Sequence, residues 1–445
     1  MTMTLTPPSV LSSPQRRCQV LLLLALPGQG ITMKNISAIN GVDDTVALQD
    51  IAETQSEIQL YHRLSIVPYG EGGYRIEGTP LDQRLCLLHW LRRALRLCPE
   101  FITEHFTPAL KTALKQQGIA RTLYDDINLH ALINLCSRRL KRSFECRDRQ
   151  FLGLYLQYCL LQHHSGHSPE FNPVQQAWAQ MRAEYLVAQD IVRHWQRRVA
   201  ATAHENEHLF LTLLFMLVRT PDPSQDDHQQ DHRLRLAISQ MIAHFHQLSG
   251  MHFSDEQGLT NQLYIHLAQA LDRSLFGIGI DNTLPAEINQ LYPRLMRTTR
   301  TVLEGLETEY GLRFSDEEAG LVAVIFGAWL MQESDLHEKQ LMLITDDDSA
   351  REQEIEQQLR ELTLLPLTIR YLPLESFREE GAPKDVTLII TPYTTPLPLF
   401  SAPLIHTDGL LSEQQQEHIR IMLEGSPSAR RPLDAGPALA VPATP

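Results

Sequence analysis

Apolar positions recur along this chain in three rhythms, and each predicts a different kind of element. From about residue 15 to 80, short stretches with helical spacing end in a glycine-rich hairpin. From about 82 to 335, nearly every segment repeats its apolar residues at i, i+3, i+4 and i+7, the spacing of one helical face. From 339 to 424, short β-rich runs alternate with charged helical patterns, as the strands of a small parallel sheet and their crossover helices do. The pattern predicts a mainly α, multidomain chain with a small α+β head, a long all-α middle and an α/β tail.

Within the head, residues 15–26 and 32–39 are predicted helices, and Asn40-Gly41 is a turn. Asp43 or Asp44 caps a third helix through residue 61, with Ile51, Ile58 and Leu60 among its apolar positions. Residues 65–68 and 74–77 are strands separated by Gly70, Gly72 and Gly73, so residues 15–81 read as a winged helix. In the tail, strands at 341–345, 367–372, 386–391 and 404–406 alternate with helices at 351–362 and 412–423 and a short helical stretch after the second strand.

Composition narrows the classes. The chain has 445 residues, 43% hydrophobic and 21% charged, enough apolar material for sizeable cores and too little charge for disorder. Only the leader 1–14 and the proline-rich tail 425–445 read as loose. The formal net charge of −14 excludes a general polyanion coat, since phosphate contacts need concentrated Lys and Arg. That charge is unevenly distributed. Residues 84–149 hold 13 Lys+Arg against 6 Asp+Glu, a net of +7, with clusters at Arg92, Arg93, Arg96 and at Arg138, Arg139, Lys141, Arg142. The predicted third helix of the head has the opposite sign: between Asn35 and His62 lie five acids (Asp43, Asp44, Asp50, Glu53, Glu57) and no Lys or Arg. As a groove-reading helix it would repel the nucleic-acid backbone.

No catalytic constellation stands out, so an enzyme is not expected, and no cofactor or metal set is expected either. The six cysteines (Cys18, Cys86, Cys98, Cys136, Cys146, Cys159) have no C-x-x-C spacing and read as reduced, mostly buried thiols. His228 and His232, among Asp226, Asp227 and Asp231, have i,i+4 spacing but no third clear ligand, and read as a solvated linker. His163, His164 and His167, beside Ser165-Gly166, read as a loop. Arg16-Arg17 with the apolar run 20–26 imitates a secretory signal but is too short to span a bilayer, so a cytoplasmic chain with no membrane contact is expected.

Motifs carry the reading further. The ending Gly73-Tyr74-Arg75-Ile76-Glu77-Gly78, followed by Arg84, resembles the N-terminal module of Mga and mannitol-activator type regulators. The run Tyr264-Ile265-His266-Leu267, Ala270, Arg273, then Asn282-Thr283-Leu284, Glu287-Ile288, Tyr292-Pro293 and Asp316-Glu317-Glu318 resembles the PTS regulation domain (PRD), a five-helix bundle of BglG-type and related regulators. A weaker copy carries Leu132, Leu135 and Arg142 in its first half, then Tyr185, Ala188, Ile191, Trp195 and Glu205 to Glu207. Its position equivalent to His266 falls near Asn134 or Leu135, so it reads as a scaffold. The tail resembles the EIIB-like domain of sugar transporters, but the loop that holds a phosphorylated cysteine there reads Thr345-Asp346-Asp347-Asp348-Ser349 here. Asp348 and Ser349 read as helix caps.

The resemblance implies a winged helix at 15–81, connecting helices at 82–122, a degenerate PRD at 123–222, a second PRD at 233–336 and a degenerate EIIB-like domain at 339–424. It further implies that His266 is the candidate acceptor of a phosphoryl group from the phosphotransferase phosphocarrier, while the second acceptor position falls on Ile325. It implies a homodimer through the PRD bundles. Two readings of function stand. One is a transcription regulator contacting DNA through the winged helix, Arg75 and the basic clusters. The other is a degenerate scaffold that docks phosphotransferase proteins or another regulator without touching DNA.

Overall fold

The computed structural model describes residues 10–26, 30–198, 206–279, 284–333, 339–346, 348–365, 367–381, 383–395 and 402–424. Most of the leader, the tail 425–445, Asp281-Asn282-Thr283, Glu205, Asp347 and the proline-rich loop at 396–401 lie outside them. The chain divides into two units. The first comprises Met1–Thr220 with Leu271–Asp281, the second Pro221–Ala270 with Asn282–Pro445.

The first unit opens with α1 (Ser13–Ala25), in which every residue from Cys18 to Leu24 is buried. The apolar run that imitates a signal is thus an interior helix. Strand β1 (Ile31–Thr32) leads into α2 (Met33–Asn40), which ends on Gly41 at a φ of +64°, a left-handed cap that suits glycine. α3 (Asp44–His62) starts where the Asp43 carboxylate accepts a hydrogen bond from the Val46 N–H at 2.9 Å. Its Ile51 and Ile58 are buried, whereas Leu60 is exposed. β2 (Ser65–Tyr69) and β3 (Gly73–Glu77) form the expected antiparallel hairpin, and β1 pairs with the other edge of β3. The order β1-β3-β2 needs Gly73, because a Cβ there would lie 2.6 Å from the Tyr69 carbonyl oxygen.

Helices then follow in series: α4 (Pro80–Leu97), α5 (Pro99–Phe101), a π-helical turn Ile102–Phe106, α6 (Thr107–Gln116), α7 (Asp126–Arg139), α8 (Cys146–His164), α9 (Pro173–Gln180), α10 (Glu184–Gln196) and α11 (Glu207–Val218). Two expectations are corrected here. His163 and His164 form the last turn of α8 rather than a loop, and Arg142 lies in the α7–α8 connection. The stretches read as separate head, connecting and PRD segments share one continuous core, in which Trp90, Phe106, Tyr155, Trp195 and Phe210 are wholly enclosed. Apolar faces on α1, α4, α8, α10 and α11 close that core together, so composition shifts along the chain do not mark breaks in packing. Residues 271–281 complete the unit: Asp272 accepts hydrogen bonds from the Trp178 indole at 2.8 Å and the Arg182 guanidinium at 2.7 Å. Nearby, Phe276 meets Phe171 edge-on.

In the second unit lie α12 (Gln229–Ser249), α13 (Glu256–Phe276, whose last turn belongs to the first unit), α14 (Leu284–Leu291), α15 (Pro293–Tyr310) and α16 (Asp316–Glu333). The tail of this unit contains β4 (Lys339–Thr345), α17 (Ser349–Leu362), β5 (Leu367–Pro373), α18 (Leu374–Glu380), β6 (Leu388–Thr391), β7 (Leu404–His406) and α19 (Glu413–Glu424). Its four strands run parallel in the order β5-β4-β6-β7. Alternation along β4 sends Leu341 and Leu343 toward the α17 and α19 residues Ile355, Leu359 and Ile419, and Met342 and Ile344 toward Phe377 of α18. The chain is mainly helical, and no helix among the described residues is long and apolar enough to cross a membrane.

Candidate functional site

Helix α3 corrects the electrostatic expectation. Three of its five acids turn back onto the protein. Asp50, almost fully enclosed, accepts a two-pronged hydrogen bond from Arg16 at 2.7 and 3.1 Å. Glu53 lies 3.6 Å from Arg17, and Glu57 sits between Arg17 at 3.5 Å and Arg93 at 2.6 Å. The remaining two lie at the N-terminal end, where Asp43 caps the helix and Asp44 accepts from the Ser37 hydroxyl. The outward stripe of α3 therefore reads Thr45, Leu48, Gln49, Ala52, Ser56, Gln59 and Leu60, all exposed and uncharged. Sequence spacing alone could not show this, because the partners Arg16, Arg17 and Arg93 lie on other helices.

The candidate cations divide into two groups. Arg93 is tied to Glu57 and lies over the Trp90 ring at 4.8 Å. Arg92 stacks on Phe151 at 4.9 Å with Asp148 3.5 Å away. Arg142 reaches inward to Glu184 at 3.2 Å and donates to the Phe215 carbonyl at 2.8 Å. Arg139 pairs with Asp190. Arg75, on the hairpin, lies over the Tyr69 ring and pairs with Glu77, yet half of its side chain faces solvent. Arg96, Arg138 and Lys141 are exposed, and no described carboxylate pairs with them. Arg84 has a wholly internal role. Its guanidinium is enclosed and makes a bidentate pair with Glu207 at 2.6 and 2.9 Å while donating to the His167 carbonyl. Burial favours its neutral form, but Glu207 outweighs this and holds it firmly charged.

His266 is half-buried on α13, with Nε2 3.2 Å from a carboxylate oxygen of Glu318, the last acid of the Asp-Glu-Glu run that opens α16. Glu318 itself is enclosed, and Ile325, two turns further on, is buried. In the first unit, the position aligned with His266 lies on α7, where Leu135 is exposed. His228 is the N-cap of α12, its N–H donating to Asp231, and His232 lies 2.6 Å from Asp227. Among the described residues no three His, Cys, Asp or Glu side chains converge on a metal position.

In the tail module, the loop after β4 holds an internal anion. The Asp346 N–H donates to Glu352 of α17 at 2.7 Å, and the Tyr393 hydroxyl donates to the same carboxylate oxygen at 2.8 Å. Asp348 accepts from the Arg351 N–H as the α17 cap. Burial first, then this bond, pushes the Tyr393 phenol up.

Residues 130–217 and 239–329 each match the PRD domain, so the chain is a tandem PRD protein. Residues 339–423 match the C-terminal domain of the stationary phase-inducible protein CsiE. Over 423 residues, 95% of this chain and 99% of the relative, it is 62% identical to the stationary phase-inducible protein CsiE of Escherichia coli (strain K12), and the chain belongs to the CsiE family. It is also 22% identical over 348 residues, 75% of this chain but 50% of the relative, to the transcriptional regulator ManR of Bacillus subtilis (strain 168).

Proposed function

We propose that this protein is a non-enzymatic transcription regulator that binds DNA through its N-terminal module, read as a winged helix. The observation that carries the reading is the α3 surface. Asp50, Glu53 and Glu57 are engaged by Arg16, Arg17 and Arg93, which leaves beyond the Asp43–Asp44 end an uncharged stripe with Gln49 and Gln59, side chains able to pair with adenine edges in a major groove. Arg75 on the hairpin and Arg96, Arg138 and Lys141 supply cations for flanking phosphates. The kinship with a named transcriptional regulator supports the same class.

Capture of genomic fragments on the intact protein at low salt tests it, followed by gel shift. Gln49→Ala and Gln59→Ala should each weaken a captured site by about tenfold or more with unchanged melting. No capture at low salt would reject DNA binding and leave a docking scaffold for phosphotransferase proteins or another regulator.

Regulation is assigned to His266. Its imidazole, with Nε2 3.2 Å from the Glu318 carboxylate, stands at the motif position that would receive a phosphoryl group from the phosphocarrier. The added negative charge beside Glu318 would then alter the packing of α13 on α16, and with it a PRD-mediated homodimer. Incubation with the phosphorylated carrier should label the wild type and not His266→Ala; equal labelling of both rejects the assignment. The tail module is read as an EIIB-like domain whose anion loop is closed by Glu352.

A further inference from the structure

Between α7 and α10 the first unit holds a cavity of about 490 Å³. Its floor is apolar, formed by Leu132, Leu135, Val187 and Ile191. Its rim is strongly cationic: Arg139, Arg193, Arg197 and Arg198 face one acid, Asp190, a net of +3 with His194 neutral. Asp190 organises two of these cations, pairing with Arg139 and lying 3.1 Å from Arg193, and each guanidinium keeps further N–H donors free. Arg197 and Arg198 have no ion pair among the described residues. A second cavity of this unit, about 600 Å³, lacks such a bias, since its Lys111 is held by Asp126 at 2.9 Å and its Arg149 donates to the Phe144 carbonyl.

We propose that the α7–α10 cavity binds a small organic phosphate, a dianionic phosphomonoester carried on an apolar body. An inorganic anion would leave the leucine and isoleucine floor wet, and a neutral apolar molecule would leave the arginine rim without a counter-charge; only a molecule with both parts satisfies the two surfaces. Guanidinium forks suit the phosphate head, as two N–H donors can meet two oxygens. The ring of His194 lies in the same recess, where burial, then Arg198 and Arg197, lower its pKa. This site is independent of the DNA reading and of His266.

The test uses the full chain and 1-naphthyl phosphate as probe, followed by calorimetry, with 1-naphthol and inorganic phosphate as controls. The probe should bind saturably and at least about tenfold more tightly than either control. Arg193→Gln and Arg197→Gln, both at exposed positions, should each weaken it by about tenfold or more while leaving the melting temperature unchanged. Leu135→Asp, which sets a carboxylate in the apolar floor and lowers the net positive charge of the recess, should do the same. No saturable binding at millimolar probe, equal binding by inorganic phosphate, or insensitivity to both arginine variants would overturn the proposal. Displacement of the probe by duplex DNA with the same arginine dependence would reassign the face to nucleic-acid phosphates and also overturn it.

Discussion

Arg84 and Glu207 are both enclosed charges, and each is tolerable only because of the other. Burial would raise the Glu207 pKa, yet Arg84, with the His163 ring 3.7 Å away, outweighs it and the net direction is downward. The sign follows. A carboxylate lowered in the folded state contributes in full above its unfolded value of about 4.3, and that contribution is lost as pH falls below it. Glu207→Ala should cost about 3–5 kcal/mol, because it strands a buried guanidinium, and should lower the melting temperature by roughly 10 °C. Arg84→Met with Glu207→Leu should recover much of that loss in a calorimetric scan, and a double variant no better than the single one would count against the pair. His62 behaves in the opposite chemical sense. Burial, with His89 nearby, lowers its pKa to about 4. Its neutral form is the folded form, so stability is complete above about pH 6.5 and falls as pH drops from there toward 4, by up to about 2–3 kcal/mol. Urea midpoints between pH 7 and 5 should show this slope, and His62→Asn should flatten it.

At the level of elements, local rules served well where the determinants are local. The Asp43 cap, the Gly41 stop, the glycine-hinged hairpin and the strand-helix alternation of the tail are all legible, since each depends on neighbours within a turn or two. Strand β1 was not, because two residues carry no periodicity and Ile31–Thr32 is extended only through its pairing with β3. The charge on α3 was misjudged for a related reason. Carboxylates at 50, 53 and 57 look like one acidic face in sequence, yet their partners come from α1 and α4, 34 to 36 positions away in the closest pairs. Likewise, nothing around Asp346 announces that its N–H is taken by Glu352. Gly73→Ala tests the hairpin as an element: a methyl group 2.6 Å from the Tyr69 carbonyl should part β2 from β3 at a cost of about 1–3 kcal/mol. Thermal melts should register that loss, and an unchanged melt would show that the turn relaxes freely.

For the molecule as a whole, module order was legible and the partition of the packing was not. PRD-like patterning placed two bundles at 123–222 and 233–336, around the PRD matches at 130–217 and 239–329, but sequence order does not say that Leu271–Asp281 completes the first unit. A fragment ending at residue 222 therefore lacks the carboxylate that satisfies Trp178 and Arg182 and the ring that covers Phe171. It should melt at least about 6 °C below the same fragment supplied with a peptide of residues 271–281, a difference of roughly 3 kcal/mol. Equal melting with and without peptide would show that the fragment is self-sufficient.

That division of the first unit also sets a schedule for synthesis. The nascent chain has its first 220 residues in hand well before residue 281 appears, and at about 5–20 residues per second the wait is roughly 3–12 s. During that interval the Arg182 guanidinium lacks the Asp272 carboxylate and the Phe171 ring lacks Phe276, so translational pauses in this stretch should lengthen the period when newly made protein is most open to aggregation or capture by chaperones.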